Sequence, residues 1–310
     1  MRKFVGALFA MVLGAGLIVV APAGIAAAAT VTNGDIVFSD DNAGNDLYLV
    51  HDDGTGARRL TFTGDAHNPS WSPDGRSIAY DHAGDIWVLR LGQQPRRITF
   101  NTQSTDPVWS PDGTQLAYTR AVRLYLRDIF VVPAAGGAST RVSFVAKSGC
   151  TTAEPAWAPS STIFYVRESA ISACTQGIYA QRVGQPAHLA VADPYASKPQ
   201  VSTDAAHLLF LAPCDPNFCN GEEGWMTDLS GGNRRAVADQ YGCAEGDLCL
   251  ENVVNAPAGG WVDAATYADV DTGFFETCFQ GAHFVKGVVV DNAPQFCISR
   301  PAYDFDVRAA

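Results

Sequence analysis

Six histidines and eight cysteines are the residues of this 310-residue chain best suited to metal or redox chemistry. His51, His67, His82, His188, His207 and His283 are scattered, with no His-x-x-x-His pair among them. A metal site built from them would have to converge from distant segments, and for a divalent cation at such a point imidazole is a suitable ligand. Cys214-x4-Cys219 and Cys243-x5-Cys249 have the spacing of two zinc-ligand pairs. Asp40-Asp41-Asn42-Ala43-Gly44-Asn45-Asp46 has the acidic density of a calcium loop but lacks its terminal Glu. Acyl-transfer chemistry of the hydrolase kind needs a Gly-x-Ser-x-Gly elbow, and that pentapeptide does not occur.

The compartment settles how the cysteines are read. Arg2 and Lys3 precede an apolar run from Phe4 to Val20, and small residues, Ala26 to Ala29, follow it. That order is a secretory signal peptide, expected over residues 1–29, with an uncleaved anchor as the competing reading. An even number of cysteines behind such a leader points to disulfides and a secreted or extracytoplasmic protein, not to zinc. Later apolar runs are short and broken by Asp, Gly and Pro, so no membrane span is expected in the mature chain. The net charge is −11 and the longest basic runs are pairs such as Arg58–Arg59 and Arg96–Arg97. Nucleic acid, which demands a clustered basic face, is thereby excluded as a partner.

The elements that must position these residues are announced by a repeat. Asn68-Pro69-Ser70-Trp71-Ser72-Pro73-Asp74-Gly75 returns as Asp106-Pro107-Val108-Trp109-Ser110-Pro111-Asp112-Gly113 and, degraded, as Glu154-Pro155-Ala156-Trp157-Ala158-Pro159-Ser160. Weaker slots are Lys198-Pro199-Gln200-Val201, Ala264-Ala265-Thr266-Tyr267 and Arg300-Pro301-Ala302-Tyr303. Each Ser-Pro-Asp-Gly is turn chemistry, which assigns Asp74 and Asp112 to turns. Short β-branched and aromatic runs follow each turn: Ser77 to Tyr80 and then Asp85 to Leu89, for example, or Gln115 to Thr119 and then Asp128 to Val132. Asp46, Asp85 and Asp128 begin third strands and are expected to bond local backbone. Four antiparallel strands per unit cannot bury both faces alone, and stacking around an axis solves this. The expected fold is all-β: a six-bladed β-propeller over residues 30–310, with four-stranded antiparallel blades. Trp71, Trp109 and Trp157 then pack between blades. The chain enters on a second strand, Ile36-Val37-Phe38, and the orphan strand Pro301 to Asp304 is expected to complete the first blade as its innermost strand.

Repeated Trp-Ser-Pro-Asp-Gly, followed by an Ile-Ala-Tyr strand and an Asp-Ile-aromatic strand, resembles the TolB-type propeller family, over residues 35–145 most closely. The repeat is also similar to the propellers of prolyl-oligopeptidase-like peptidases and of oligogalacturonate lyases. The TolB resemblance implies a protein-binding scaffold of the cell envelope. The separate N-terminal α/β domain of TolB has no counterpart in the repeat pattern, which starts directly after the leader.

Strand direction gives the candidate site an address. Innermost strands start on one face of the disc, called the top here, and loops between second and third strands and between blades fall on the same face. The residue before each Pro-x-Trp slot is expected at the channel mouth on that face: Asn68, Asp106, Glu154, Lys198, Ala264 and Arg300. With His67 and Thr105 beside them, Asp106 and Glu154 would meet a cation or amine, and Lys198 and Arg300 a carboxylate. Mutual pairing around the rim competes with that reading. Pairing in sequence order is the simplest disulfide scheme: Cys150–Cys174, Cys214–Cys219, Cys243–Cys249 and Cys278–Cys297. If Cys278 sat in a second strand and Cys297 in a fourth, about 9.5 Å would separate them, too far for a bridge, so Cys278 is expected in a loop or with another partner. Cys249 is expected in an inter-blade connection. The function expected is a secreted scaffold, monomeric by default and with no cofactor, binding a protein, peptide or cell-envelope component. The alternative is a metal-dependent lyase or lactonase with a divalent cation, calcium or another, at the channel.

Overall fold

The computed structural model describes residues 35–307 except 41–44, 52–53, 146–147, 170–173, 203–204, 214–221, 237–247, 257–259, 270–273, 286–287, 293–295 and 299–304. The first blade holds β1 (Ile36–Asp40), β2 (Asp46–Val50) and β3 (Arg58–Arg59). The second holds β4 (His67–Trp71), β5 (Ser77–His82), β6 (Asp85–Arg90) and β7 (Arg96–Arg97), and the third β8 (Ser104–Trp109), β9 (Gln115–Arg123), β10 (Leu126–Pro133) and β11 (Thr140–Arg141). The fourth is β12 (Cys150–Trp157), β13 (Thr162–Ser169), β14 (Gly177–Arg182) and β15 (His188–Val191); the fifth is β16 (Ser197–Val201), β17 (His207–Pro213), β18 (Glu222–Asp228) and β19 (Arg235–Ala236). A last sheet is built from β20 (Leu248–Ala256), β21 (Gly260–Asp269), β22 (Phe274–Val285) and β23 (Val288–Asn292), with β24 (Phe296–Ile298) also on β22. Every pairing among the described residues is antiparallel, the second to fifth blades run in sequence order, and the architecture is a β-propeller.

The core lies between blades. Val37, Leu47 and Leu49 of the first pack with Trp71, Ile78 and Tyr80 of the second. Trp109 joins Ile86 and Ile98 to Leu116 and Tyr118, and Trp157 joins Val131 and Val142 to Ile163 and Tyr165. Each Trp therefore seals its own blade to the preceding one, and the Trp109 indole also donates to Ser70 O at 3.1 Å. The Ser-Pro-Asp-Gly segments are turns: Asp74 accepts from Ser72 Oγ at 2.6 Å and Arg76 N at 3.1 Å, and Asp112 accepts from Ser110 Oγ at 2.6 Å and Thr114 N at 3.0 Å. Gly75 and Gly113 supply the left-handed residue, with φ of 64° and 69°.

A buried latch fixes the top of the first three blades. Asp46, Asp85 and Asp128 are at most 1 % exposed. Each accepts a hydroxyl from the end of its fourth strand, Thr61, Thr99 or Ser143, and the guanidinium of Arg59, Arg97 or Arg141. Each also accepts backbone N–H groups, from Thr63, Asn101 and Val145 at 2.8, 2.8 and 3.0 Å. The expectation of local backbone bonding holds, and the arginine partner is added to it. Burial alone would raise the Asp46 carboxyl, but hydrogen bonds from Thr61, Thr63 and Arg59 outweigh it and hold the group below the usual carboxylate range. The fourth blade has no such latch. Gly177 stands in the aspartate's place, at φ 136°, and a Cβ there would lie 2.2 Å from Val191 O.

Several expectations are corrected in the C-terminal part. The strand that pairs with β1 is Phe305–Val307 (β25), Phe38 facing Phe305 and Ile36 facing Val307; Pro301 to Asp304, expected to do so, lie outside the described residues. Ala264 and Tyr267 are not on an innermost strand: they lie in β21, the second of its sheet, with β20 before it. Cys249 lies within β20, not in a connection. Cys278 lies within β22, not in a loop, and directly faces Cys297 of β24, because β24 pairs with β22 and no strand intervenes.

Asp128→Ala removes the acceptor shared by the Ser143 hydroxyl, the Val145 N–H and the Arg141 guanidinium, and should lower unfolding stability by about 3 kcal/mol. A denaturant melt showing an unchanged midpoint would contradict the role of the latch.

Candidate functional site

Each Pro-x-Trp slot is a β-bulge. Between His67↔Asp81 and Ser70↔Ala79, two residues, Asn68 and Pro69, face the single residue Tyr80. Asp106-Pro107 face Tyr118, Glu154-Pro155 face Tyr165, and Lys198-Pro199 face Phe210 in the same way. The residue before proline takes a left-handed conformation every time, with φ of 49°, 54°, 54° and 47°. Asn and Asp tolerate this region; Glu and Lys adopt it at a cost that the surroundings must meet. Bulges of this kind re-aim side chains beside functional sites.

The left-handed turn sends the N–H of the bulge residue out of its own sheet, and the preceding blade supplies the acceptor. Asp81 Oδ1 accepts Asp106 N at 3.2 Å, and Thr119 Oγ1 accepts Glu154 N at 3.2 Å. Asp81 and Thr119 occupy the same position, one residue after the buried tyrosine of the second strand. In the fourth blade that position is Val166, which has no acceptor, and Glu154 itself takes over: its Oε2 accepts Lys198 N at 2.6 Å. The side chain of Asn68 also donates to Asp81 Oδ1, at 2.8 Å.

The expected mouth residues are thus brought together in part. Asn68, Asp106, Glu154 and Lys198 sit on four successive innermost strands. His67 lies at the head of β4 with its Nε2 3.3 Å from Asp65, and Thr105 donates to Asp106 Oδ2 at 3.1 Å. Arg300 lies outside the described residues. Asp81 was not anticipated. The signal was there: a charged residue where the equivalent strands read Leu-Ala-Tyr-Thr and Ile-Phe-Tyr-Val. Burial and the neighbouring Asp106 charge push the Asp81 carboxyl up to about 7, against the Asn68 hydrogen bond. Burial likewise pushes Glu154 up to about 6, with Asp106 adding repulsion and the Lys198 N–H opposing it. Three carboxyls from three blades therefore feel one another, and such a group can hold a proton near neutrality or receive a cationic group. Among the described residues no three His, Cys, Asp or Glu side chains are disposed to hold a metal ion.

The surrounding top face is apolar at its edge. Phe62, Phe100 and Phe144 follow the fourth strands of the first three blades and are 76, 75 and 62 % exposed. The latch arginines stack on them, Arg59 on Phe62 at 4.6 Å, Arg97 on Phe100 at 4.8 Å and Arg141 on Phe144 at 4.9 Å. Cys150 at the head of β12 is bridged to Cys174 in the β13–β14 loop, as expected, with Cα atoms 5.9 Å apart. This bridge suits an oxidising compartment outside the cytoplasm. Cys214, Cys219 and Cys243 lie outside the described residues.

These features define a β-propeller. A putative TolB from Agrobacterium tumefaciens is similar with a TM-score of 0.59 and 16% identity, over 89% of this chain and 97% of that one. TolB from Acinetobacter baumannii is similar with a TM-score of 0.63 and 15% identity, over 89% of this chain and 65% of that one, so the chain spans about two thirds of that protein. An oligogalacturonate lyase in complex with manganese is similar with a TM-score of 0.50 and 14% identity, over 75% of this chain and 67% of that one. At such identities the likeness establishes the fold alone. No protein-family model and no curated protein matches the sequence.

The Asp81 carboxyl sets a pH dependence whose sign is fixed. Its folded value, about 7, lies above the ordinary 3.8, so between those values the folded chain holds a proton that the unfolded chain has lost. Its contribution to stability is full on the acid side and is lost as pH rises through 7. The denaturation midpoint should fall between pH 5 and pH 8, and Asp81→Asn should remove most of that fall. At the next blade, Glu154→Ala leaves the Lys198 N–H without an acceptor and should cost about 1–3 kcal/mol, whereas Glu154→Gln, which can still accept, should cost less.

Proposed function

We propose that this chain is an exported, six-bladed TolB-like propeller that serves as a binding scaffold, engaging a protein, peptide or cell-envelope ligand through its top face. Closure of the ring by the C-terminal strand is part of this reading. It is supported by the pairing of β25 with β1 and by the contacts of β25 with β4 on one side and β20 on the other. Export is supported by the leader composition and the Cys150–Cys174 bridge.

One observation carries the binding role. Eight large apolar side chains are exposed among the described residues: Phe62, Phe100, Leu124, Tyr125, Phe144, Val183, Leu189 and Tyr195. Six of them, all but Val183 and Leu189, stand in connections that open on the top face. Scattered single hydrophobics need no explanation, but a concentration on one face marks an interaction surface. The mouth lies within this edge. Asp106 and Glu154 would receive the cationic groups of a ligand there, and Lys198 with Arg300 the anionic ones.

The test is capture of detergent-solubilised envelope components on the immobilised chain. Combined Phe62→Ser, Phe100→Ser and Phe144→Ser should abolish capture by the native chain, while Val183→Ser on the opposite face leaves it intact. Capture indifferent to the three phenylalanines would refute the top-face assignment. One divalent ion held tightly by the purified protein would move the reading to the lyase-type alternative.

A further inference from the structure

The second-to-third-strand hairpins of neighbouring blades differ in reach. In the second blade the hairpin closes at His82↔Asp85, with Ala83 and Gly84 as its turn. In the third blade the equivalent pair is Arg120↔Asp128, identified by the common latch, and the hairpin continues through Ala121↔Arg127 to Arg123↔Leu126. Its turn is Leu124-Tyr125, the tyrosine at φ 62°. Three further residues on one arm and two on the other, at about 3.3 Å each, lift this tip about 7–10 Å beyond its neighbour's.

Its composition is unlike the rest of the molecule. Residues 120–127 read Arg-Ala-Val-Arg-Leu-Tyr-Leu-Arg, three cations and no acid in a chain of net charge −11. Leu124 and Tyr125 are 80 and 81 % exposed, the highest among the large apolar side chains described. Arg123 and Arg127 are exposed as well. The base, by contrast, is braced: Val122 packs on the core between the second and third blades, Ala121 N donates to Gln103 O at 2.9 Å, and Arg127 N donates to Thr151 Oγ1 at 3.0 Å. The hairpin is a supported prong with an apolar end and a basic collar.

We propose that this prong docks the top face on an anionic lipid surface, with Leu124 and Tyr125 entering the boundary between headgroups and acyl chains and Arg123 and Arg127 pairing with headgroup phosphates. A tip this exposed is convex, and a fluid interface closes around it without a preformed pocket. Tyrosine, apolar in body and polar at its end, suits that depth. The body's acidity does not forbid the contact: at physiological ionic strength charges beyond about 8 Å are largely screened, and Arg123 and Arg127 give the tip positive charge of its own. Among the described residues no helix is long and apolar enough to cross a membrane. The proposal rests on the top-face reading for the direction in which the prong looks, but not on what the mouth or the phenylalanines bind.

The test uses an environment-sensitive fluorophore on Leu124→Cys and, as a control in the β10–β11 turn on the opposite face, on Ala138→Cys. Vesicles of phosphatidylcholine with 30% phosphatidylglycerol should shift the Leu124 label to the blue and leave the Ala138 label unchanged, a pattern that binding through the N-terminal leader would not give. Arg123→Gln and Arg127→Gln should each weaken the vesicle titration about fivefold. Phe62→Ser with Phe100→Ser and Phe144→Ser should leave it unchanged, so that failure here and failure of ligand capture are separate results. A silent Leu124 label on anionic vesicles overturns the proposal. So does an equal shift on phosphatidylcholine alone, or arginine-dependent binding without any shift, which would assign the prong to an acidic protein surface instead.

Discussion

The described part of this propeller depends on how a displaced backbone N–H finds an acceptor. A left-handed residue before proline at the head of an innermost strand turns its amide out of the sheet. A buried amide left unmatched would cost as much as a lost hydrogen bond, so the third, fourth and fifth blades are each obliged to the one before: Asp81 serves Asp106, Thr119 serves Glu154, and Glu154 serves Lys198. The same contacts that hold these neighbouring sheets together therefore link the residues of the proposed mouth. Glu154 illustrates the economy of this arrangement. With Val166 unable to accept, a carboxylate expected to face a ligand is drawn into holding backbone, and rim pairing and ligand binding become two uses of one group.

Sequence made the first half of the molecule legible because its punctuation is chemically irreplaceable. Proline at a bulge, tryptophan between blades and Ser-Pro-Asp-Gly at a turn each have one geometric meaning, and the strands between them followed. Where those residues fade, the reading slipped. Tyr267 was matched to the tryptophan slot by residue type alone, without a proline before it, and the true head of that sheet, Leu248–Ala256, carries neither proline nor tryptophan. The same slip displaced Cys278 from its strand and made Cys278–Cys297 look unreachable. The left-handed positions of Asn68, Asp106, Glu154 and Lys198 are marked by the proline beside each, whereas Asp81 sits in a strand with no punctuation and shows only through its contacts. The prong was invisible for another reason: only register reveals that its arms overshoot the hairpin of the second blade.

Latch and edge are coupled in the first three blades. The guanidinium that neutralises a buried aspartate lies flat against the exposed phenylalanine that follows it, so the aromatic edge is held by the same residue that locks the fourth strand. Presentation of the three phenylalanines is thus a by-product of closing each of these blades, and the arginine–phenylalanine pair stops where the aspartate stops.

Gly177 sets that boundary sterically. In the fourth blade Val191 O occupies the space that a side chain at 177 would need, and the backbone there holds a φ of 136° that suits glycine. An aspartate at 177 would meet main chain rather than an empty berth. The fourth blade therefore cannot be given the closure of the first three by exchanging that one residue: its outer strand would have to shift as well.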